Sequence, residues 1–207
     1  MKLRNLLGLS AVLVFVGLAQ IIWRNHEPFW DRSLMLEIHQ HQAAWLDTVM
    51  KGITLTGSGY CVDLVAFGVA MWLWWKGQGH KLQAFILLIT VVGLRIGNGW
   101  LKQLFERPRP EVFPPLTTAG GYSFPSGHTM NAMAFYGLVA VWLWRTHYRG
   151  WAIVAGAWVV MVAISRVYLG VHYPSDVIGA IAFGAIWIVV VTTGQDMWQK
   201  RNNEGKD

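Results

Sequence analysis

Cysteine is all but missing from this chain of 207 residues. Cys61 stands alone, so no disulfide can close within the chain, and a zinc site built on cysteine thiolates is excluded. Charge is scarce too. Lys, Arg, Asp and Glu make up 14% of the residues, and the 11 acidic ones are outnumbered by 17 basic ones. The net charge of +6 would suggest nucleic acid in a soluble protein, but these cations are scattered between apolar runs. Membrane topology and phosphate binding account for them better, and no nucleic-acid partner is expected. What the chain has in excess is apolar surface: 54% hydrophobic residues, 13 of them Trp. Length and composition together suggest one membrane domain, residues 1–207.

Six apolar segments recur, at about 6–23, 60–75, 82–101, 129–144, 151–168 and 177–194. The first follows Lys2 and Arg4, carries no charge and is long enough to span a bilayer. A cleaved signal peptide is the rival reading, with Gly17 and Ala19 as small residues near its end. The run continues past them to Trp23, which favours a retained span. The fold class expected is therefore all-α, a polytopic bundle of six transmembrane helices. Between the first two spans, Leu34, Ile38, Trp45 and Val49 recur near helical spacing, which predicts one or two short amphipathic helices at the interface. His39 and His41 fall on opposite sides of such a helix, a poor geometry for a metal pair and a good one for a solvated face. The polar tail from Gln199 to Asp207 reads as disordered.

Six spans sort the loops onto two sides. Lys2, Arg4, Lys76, Lys81, Arg145, Arg149, Lys200, Arg201 and Lys206 all fall on one, which the positive-inside rule makes cytoplasmic. Three motif-like stretches share the other side. Lys102 to Pro110 ends an apolar segment with Lys102, Arg107 and Arg109 among prolines. Tyr122-Ser-Phe-Pro-Ser-Gly-His-Thr129 is a turn that opens onto a helix, where Ser126 and Gly127 would offer unpaired N–H groups and the positive end of the helix dipole to an anion. Ser165-Arg166 and His172 to Asp176 follow the fifth span. Pro108 and Pro110 are expected to end the third helix, letting Lys102 and Arg109 converge. Within that span, Arg95 shares a helix face with Asn98 and Lys102; it either floors the site or pairs with Asp63.

In these residues the chain resembles the type 2 phosphatidic acid phosphatase superfamily. That family's signature is K-x6-R-P, P-S-G-H and S-R-x5-H-x3-D, and all three parts stand in order between residues 102 and 176. The chemistry fits the residues. A phosphoester needs cations, oriented N–H donors, a nucleophile and an acid for the leaving oxygen. Lys102, Arg109 and Arg166 supply charge, with the two guanidiniums expected to make bidentate contacts. Ser126, Gly127 and Ser165 complete the phosphate-binding set. Asp176, four residues after His172, is placed to hold one ring N–H and free the other nitrogen, whereas His128 has no such carboxylate nearby.

The resemblance implies the same division of labour, with His172 forming a phosphohistidine, Asp176 orienting it and His128 protonating the leaving oxygen. It also implies a metal-independent lipid phosphatase of the cell membrane, without cofactor, acting on phosphatidylglycerophosphate, undecaprenyl diphosphate or phosphatidate. Two alternatives stand beside it. A vanadate-dependent haloperoxidase shares the architecture but is soluble. A non-enzymatic lipid-binding or lipid-moving protein on the same fold would be expected to have lost a motif residue, and this chain has lost none.

Overall fold

The computed structural model describes residues 2–25 and 27–204. Its elements are α1 (Lys2–Asn25), α2 (Phe29–Gln40), α3 (Ala44–Thr56), α4 (Gly59–Trp75), α5 (Gln78–Phe105), α6 (Gly127–Ala132), a π-helical turn (Met133–Gly137), α7 (Leu138–Trp144), α8 (Arg149–Tyr168) and α9 (Pro174–Glu204). Among the described residues there is no strand. Four helices, α1, α5, α8 and α9, are long and apolar enough to cross a membrane, and α3 with α4, bent by 49°, would add a fifth as one broken span. The chain from Gly127 to Trp144 is also helical throughout.

The helix bundle is apolar both inside and out. A buried core runs through Leu87, Leu94, Met130, Leu138, Val162 and Ala180. Large apolar side chains such as Leu13, Phe67, Trp72, Val92 and Ile153 nevertheless face outward, which water would penalise and hydrocarbon would not. Trp23, Trp45, Trp100, Trp151 and Trp198 are exposed near helix ends. Trp158 and Trp187 pack against the core instead.

Close helix packing relies on glycine. A Cβ on Gly93 would fall 2.1 Å from the Trp187 ring, and one on Gly179 would fall 2.4 Å from Phe124. Each lets a ring lie against bare backbone, the device by which helices approach in a solvent that gives no hydrophobic push.

Several expectations are sharpened or corrected. Helix α5 stops at Phe105, because Glu106 adopts a left-handed φ of 45° two residues ahead of Pro108. The residue before a proline avoids the helical region, so the turn is completed before Arg107. The C-terminal tail is helical as far as Glu204, with Gly205, Lys206 and Asp207 outside the described residues. His39 stacks on Phe113, with centroids 4.1 Å apart, so it is half-buried against that ring rather than freely solvated. Arg95 pairs with Asp63 rather than flooring the site.

Gly179→Ala is expected to force Phe124 off its seat, at a typical overpacking cost of about 1–3 kcal/mol. That should lower the melting temperature in detergent by several degrees, about 2–4 °C per kcal/mol for a chain of this size. Gly17→Ala, where a Cβ meets nothing within 4 Å, is the control and should melt at or above the wild-type temperature.

Candidate functional site

The three motif stretches meet at one end of the bundle. Lys102 arrives on the last turn of α5, His128 on the first turn of α6, Arg166 on the last turn of α8 and Asp176 on the first turn of α9. Gly170, with φ 75°, reverses the chain after α8 and brings His172 back beside Arg166; the Val171 N–H donates to the Arg166 carbonyl at 3.2 Å. A side chain at Gly170 would collide with Phe113 at 2.7 Å, so the turn is closed sterically as well.

His172 is 2% exposed and Asp176 is fully buried. The His172 Nδ1 lies 3.2 Å from the Asp176 Oδ2, and that same oxygen accepts the Tyr173 N–H at 2.9 Å. With Nδ1–H donated to the carboxylate, the Nε2 lone pair points into the site, where the Arg109 Nη1 stands 3.4 Å away. Burial, opposed by the hydrogen bond to Asp176, draws the His172 pKa down to about 4. The ring is thus neutral at neutral pH. His128 sits within electrostatic reach of His172, Arg166, Arg109 and Lys102.

The cations are held in unequal ways. Arg109 donates from Nε to the Gly121 carbonyl at 3.0 Å, from Nη2 to Gly120 at 2.7 Å and Tyr122 at 3.4 Å, and from Nη1 to Val171 at 2.8 Å. What faces His172 is therefore one Nη1 edge, not the two-pronged fork expected of it. Lys102 also donates to the Tyr122 carbonyl. Burial lowers the Arg109 pKa, with Asp176 opposing it, though a guanidinium stays charged throughout. Arg166, 3% exposed, donates from Nη1 to the Thr54 hydroxyl of α3 at 2.7 Å.

The turn before α6 departs from expectation. The Ser126 N–H is not free, since it donates to the Asp176 carbonyl at 3.2 Å and so ties the cradle to α9. The Ser126 hydroxyl accepts from Thr129 at 3.1 Å. Among the described residues nothing accepts the Gly127 N–H, which leaves it as the free donor of the pair. Asn98 holds this turn down through a 3.0 Å bond to the Pro125 carbonyl, and its Oδ1 lies where a Gly127 Cβ would meet it at 3.3 Å. The Ser165 hydroxyl donates back into its own helix, to the Val162 carbonyl at 2.7 Å, so its proton is not available to an anion. Among the described residues no cluster of three or more His, Cys, Asp or Glu side chains is placed to hold a metal ion.

Two buried residues escaped the sequence reading. Asp31 of α2 and Arg107 of the loop after α5 are both fully buried, and they join each other and Asp176 in one ion network. Arg107 had a faint signal, as an extra cation between Lys102 and Arg109. Asp31 had none, lying far from every motif.

Comparison with known proteins identifies the chain's relatives. The PAP2 superfamily model matches residues 83–200. The chain is 35% identical to phosphatidylglycerophosphatase B of Bacillus subtilis (strain 168), over 88% of this chain and 91% of that one. It is 31% identical to the undecaprenyl-diphosphatase BcrC of the same organism, over 70% and 73% of the two chains. The crystal structure of a transmembrane PAP2 type phosphatidylglycerolphosphate phosphatase from Bacillus subtilis superposes with a TM-score of 0.80, at 31% identity, covering 92% of this chain and 96% of that one. A buried His–Asp pair facing an arginine, the ordered motifs that build it and these relatives lead to one assignment: the chain belongs to the PAP2 superfamily.

Proposed function

We propose that this chain is a membrane lipid phosphatase that works through a phosphohistidine at His172. The observation that carries the reading is the aim of the His172 ring, with Nδ1 on Asp176 and Nε2 on the Arg109 side of the pocket. Nε2 attacks phosphorus in line, and the bond to the lipid oxygen breaks while His128 gives that oxygen a proton. His128 then takes a proton from water, which attacks the phosphohistidine and releases inorganic phosphate and the free imidazole. Lys102, the Nη1 edge of Arg109, Arg166 and the Gly127 N–H stabilise the equatorial oxygens through both steps. The fuller relative by coverage and identity makes phosphatidylglycerophosphate the first substrate to try, ahead of undecaprenyl diphosphate and phosphatidate.

The membrane arrangement belongs to the same reading. With α4 and the helix from Gly127 to Trp144, the four longest helices make six spans, each added one about 26 Å long against a hydrocarbon core of about 30 Å. Helices α2 and α3 then lie at the interface beside the site. The short loops and tails carrying Arg4, Lys76, Lys81, Arg145, Arg149, Lys200 and Arg201 face the cytoplasm, and the site faces the opposite side.

Purified protein assayed in detergent should hydrolyse at least one of the three lipids in excess chelator, and rapid quenching without acid should leave phosphate on a peptide containing His172. Phosphate on His128 instead would exchange the two roles. His172→Ala should abolish turnover with every substrate. His128→Ala should lose about 10²- to 10⁴-fold on a lipid alkyl phosphate and less on p-nitrophenyl phosphate, whose leaving group needs no proton.

The pKa of His172 is open to direct measurement. Histidine ¹⁵N NMR, with His172→Gln identifying the signal, should show the ring neutral at pH 6 and half protonated near pH 4. A midpoint at or above 6.5, the ordinary value, would mean that burial does not govern this ring.

Orientation can be settled by labelling. In a Cys61→Ser background, a cysteine at Thr117 should react with an impermeant maleimide in intact cells, and one at Thr146 only after permeabilisation. The reverse pattern would invert the topology.

A further inference from the structure

The hydrogen-bonded path from His172 does not end at Asp176. The second carboxylate oxygen of Asp176, Oδ1, receives the Nη1 of Arg107. The same Nη1 donates to the Ser175 hydroxyl at 2.7 Å, and Nη2 donates to the Asp31 Oδ2 at 2.8 Å. Asp31 closes the circuit, its Oδ1 accepting the Ser175 N–H at 2.8 Å and its Oδ2 the Ser175 hydroxyl. The Tyr173 ring lies under the guanidinium, 4.1 Å from its centroid to Cζ. One cation and two carboxylates, all fully buried, thus meet one another through both Nη groups, while the Arg107 Nε has no partner among the described residues.

Such a triad is costly to desolvate, and apolar residues of similar volume would serve stability as well or better. Its geometry indicates what it does. Guanidinium nitrogens are rigidly spaced, so an arginine bound at Nη2 by Asp31 presents Nη1 to Asp176 at a fixed position. Asp176 in turn is gripped at both oxygens, Oδ1 by Arg107 and Oδ2 by the Tyr173 N–H and His172. With Oδ1 unbonded the carboxylate could rotate about its last torsion, and the imidazole would turn with it. Asp31 reaches the site on α2, whose other buried side chain, Met35, packs with Phe113, Val167, Tyr173 and Val177. That clamp fixes Asp31 against α8 and α9.

We propose that Asp31 and Arg107 are positioning residues that set the orientation of His172 through Asp176, so that helix α2 takes part in aiming the nucleophile. The inference rests on the reading of His172 as that nucleophile. Asp31 also tempers the charge of Arg107. Shared between two carboxylates, the guanidinium orients Asp176 without neutralising it, which leaves the carboxylate able to hold the imidazole N–H. Arg109, Arg166 and His128 also bear on the His172 ring, and Lys102 on Asp176, and all four are retained in the test.

Asp31→Asn, Arg107→Lys, Arg107→Gln and the double variant Asp31→Asn/Arg107→Gln are compared with wild type, each checked for monodisperse elution. In single turnover with a lipid phosphate, Asp31→Asn and either Arg107 variant should form phosphohistidine about 10- to 100-fold more slowly, the scale on which outer partners of an oriented histidine act. KM should stay within about twofold. The double variant should be no slower than the slower single, since both residues act along one path. Histidine NMR separates aiming from mere packing. Removing Arg107 leaves the Asp176 charge to the imidazole alone and should move the His172 midpoint up, while Asp31→Asn directs the whole Arg107 charge at Asp176 and should move it down.

Wild-type rates in the Arg107 variants, losses that multiply in the double, or midpoints unmoved in both directions would overturn the proposal. Asp31→Asn is isosteric, so its rate and midpoint decide the matter if Arg107→Gln does not fold. Failure of the underlying reading is distinguishable, because wild type itself would then carry no phosphate on His172.

Discussion

Hydrocarbon offers no partner to a charge, and that constraint organises most of what is polar in this chain. Each buried cation has a nearby oxygen to meet it, and the oxygens come from places that a soluble protein would leave to water. Arg109 is surrounded by carbonyls of the 120–122 turn and of Val171, and Lys102 uses Tyr122 as well. Arg166 takes a hydroxyl from α3, and Arg107 takes two carboxylates from different helices. Away from the site, Asp196 bridges Arg4 of α1 and Arg145 after α7. The fold can be described as the set of helix placements in which these demands are met together, with glycine positions such as 93 and 179 allowing helices to come close enough.

The arrangement proposed for catalysis follows from the same economy of partners. A histidine buried among cations would ordinarily lose its proton and its orientation together; Asp176 supplies the second while burial enforces the first. Neutrality makes Nε2 a lone-pair donor, and the cations around it favour an incoming phosphate over a proton. The pocket is thus selective in electrostatic sign before any contact with lipid is considered.

Much of this was legible in the sequence because it is local. Apolar runs of spanning length mark α1, α5, α8 and α9, and the Pro-Ser-Gly-His stretch marks the start of α6. Spacing between Arg166, His172 and Asp176 survives folding because a single glycine turn joins α8 to α9. What could not be read is whatever depends on pairing across the bundle. Nothing in the sequence says that the Ser126 N–H is spent on Asp176, that Ser165 bonds into its own helix, or that Arg109 exhausts most of its donors on backbone. Asp31 is the sharpest case, since its partner lies 76 residues along the chain and its own neighbourhood reads as an ordinary amphipathic helix. The prolines announce that α5 ends ahead of Arg109, but not that a left-handed Glu106 completes the turn.

The helix that begins at Gly127 is not uniformly wound. Its π turn from Met133 to Gly137 houses one residue more than an α-helix would over the same length. Each residue of an α-helix advances about 100° around the axis. The extra one therefore sets the face that carries His128 and Thr129 out of phase with the face that carries Leu138 and Trp142. A single helix can in this way serve the pocket at one end and the α8–α9 packing at the other, where regular winding would have turned one stretch about 100° relative to the other. Seen so, the insertion works like a keyed coupling in a shaft: it transmits position along the helix while allowing its two ends to be indexed separately.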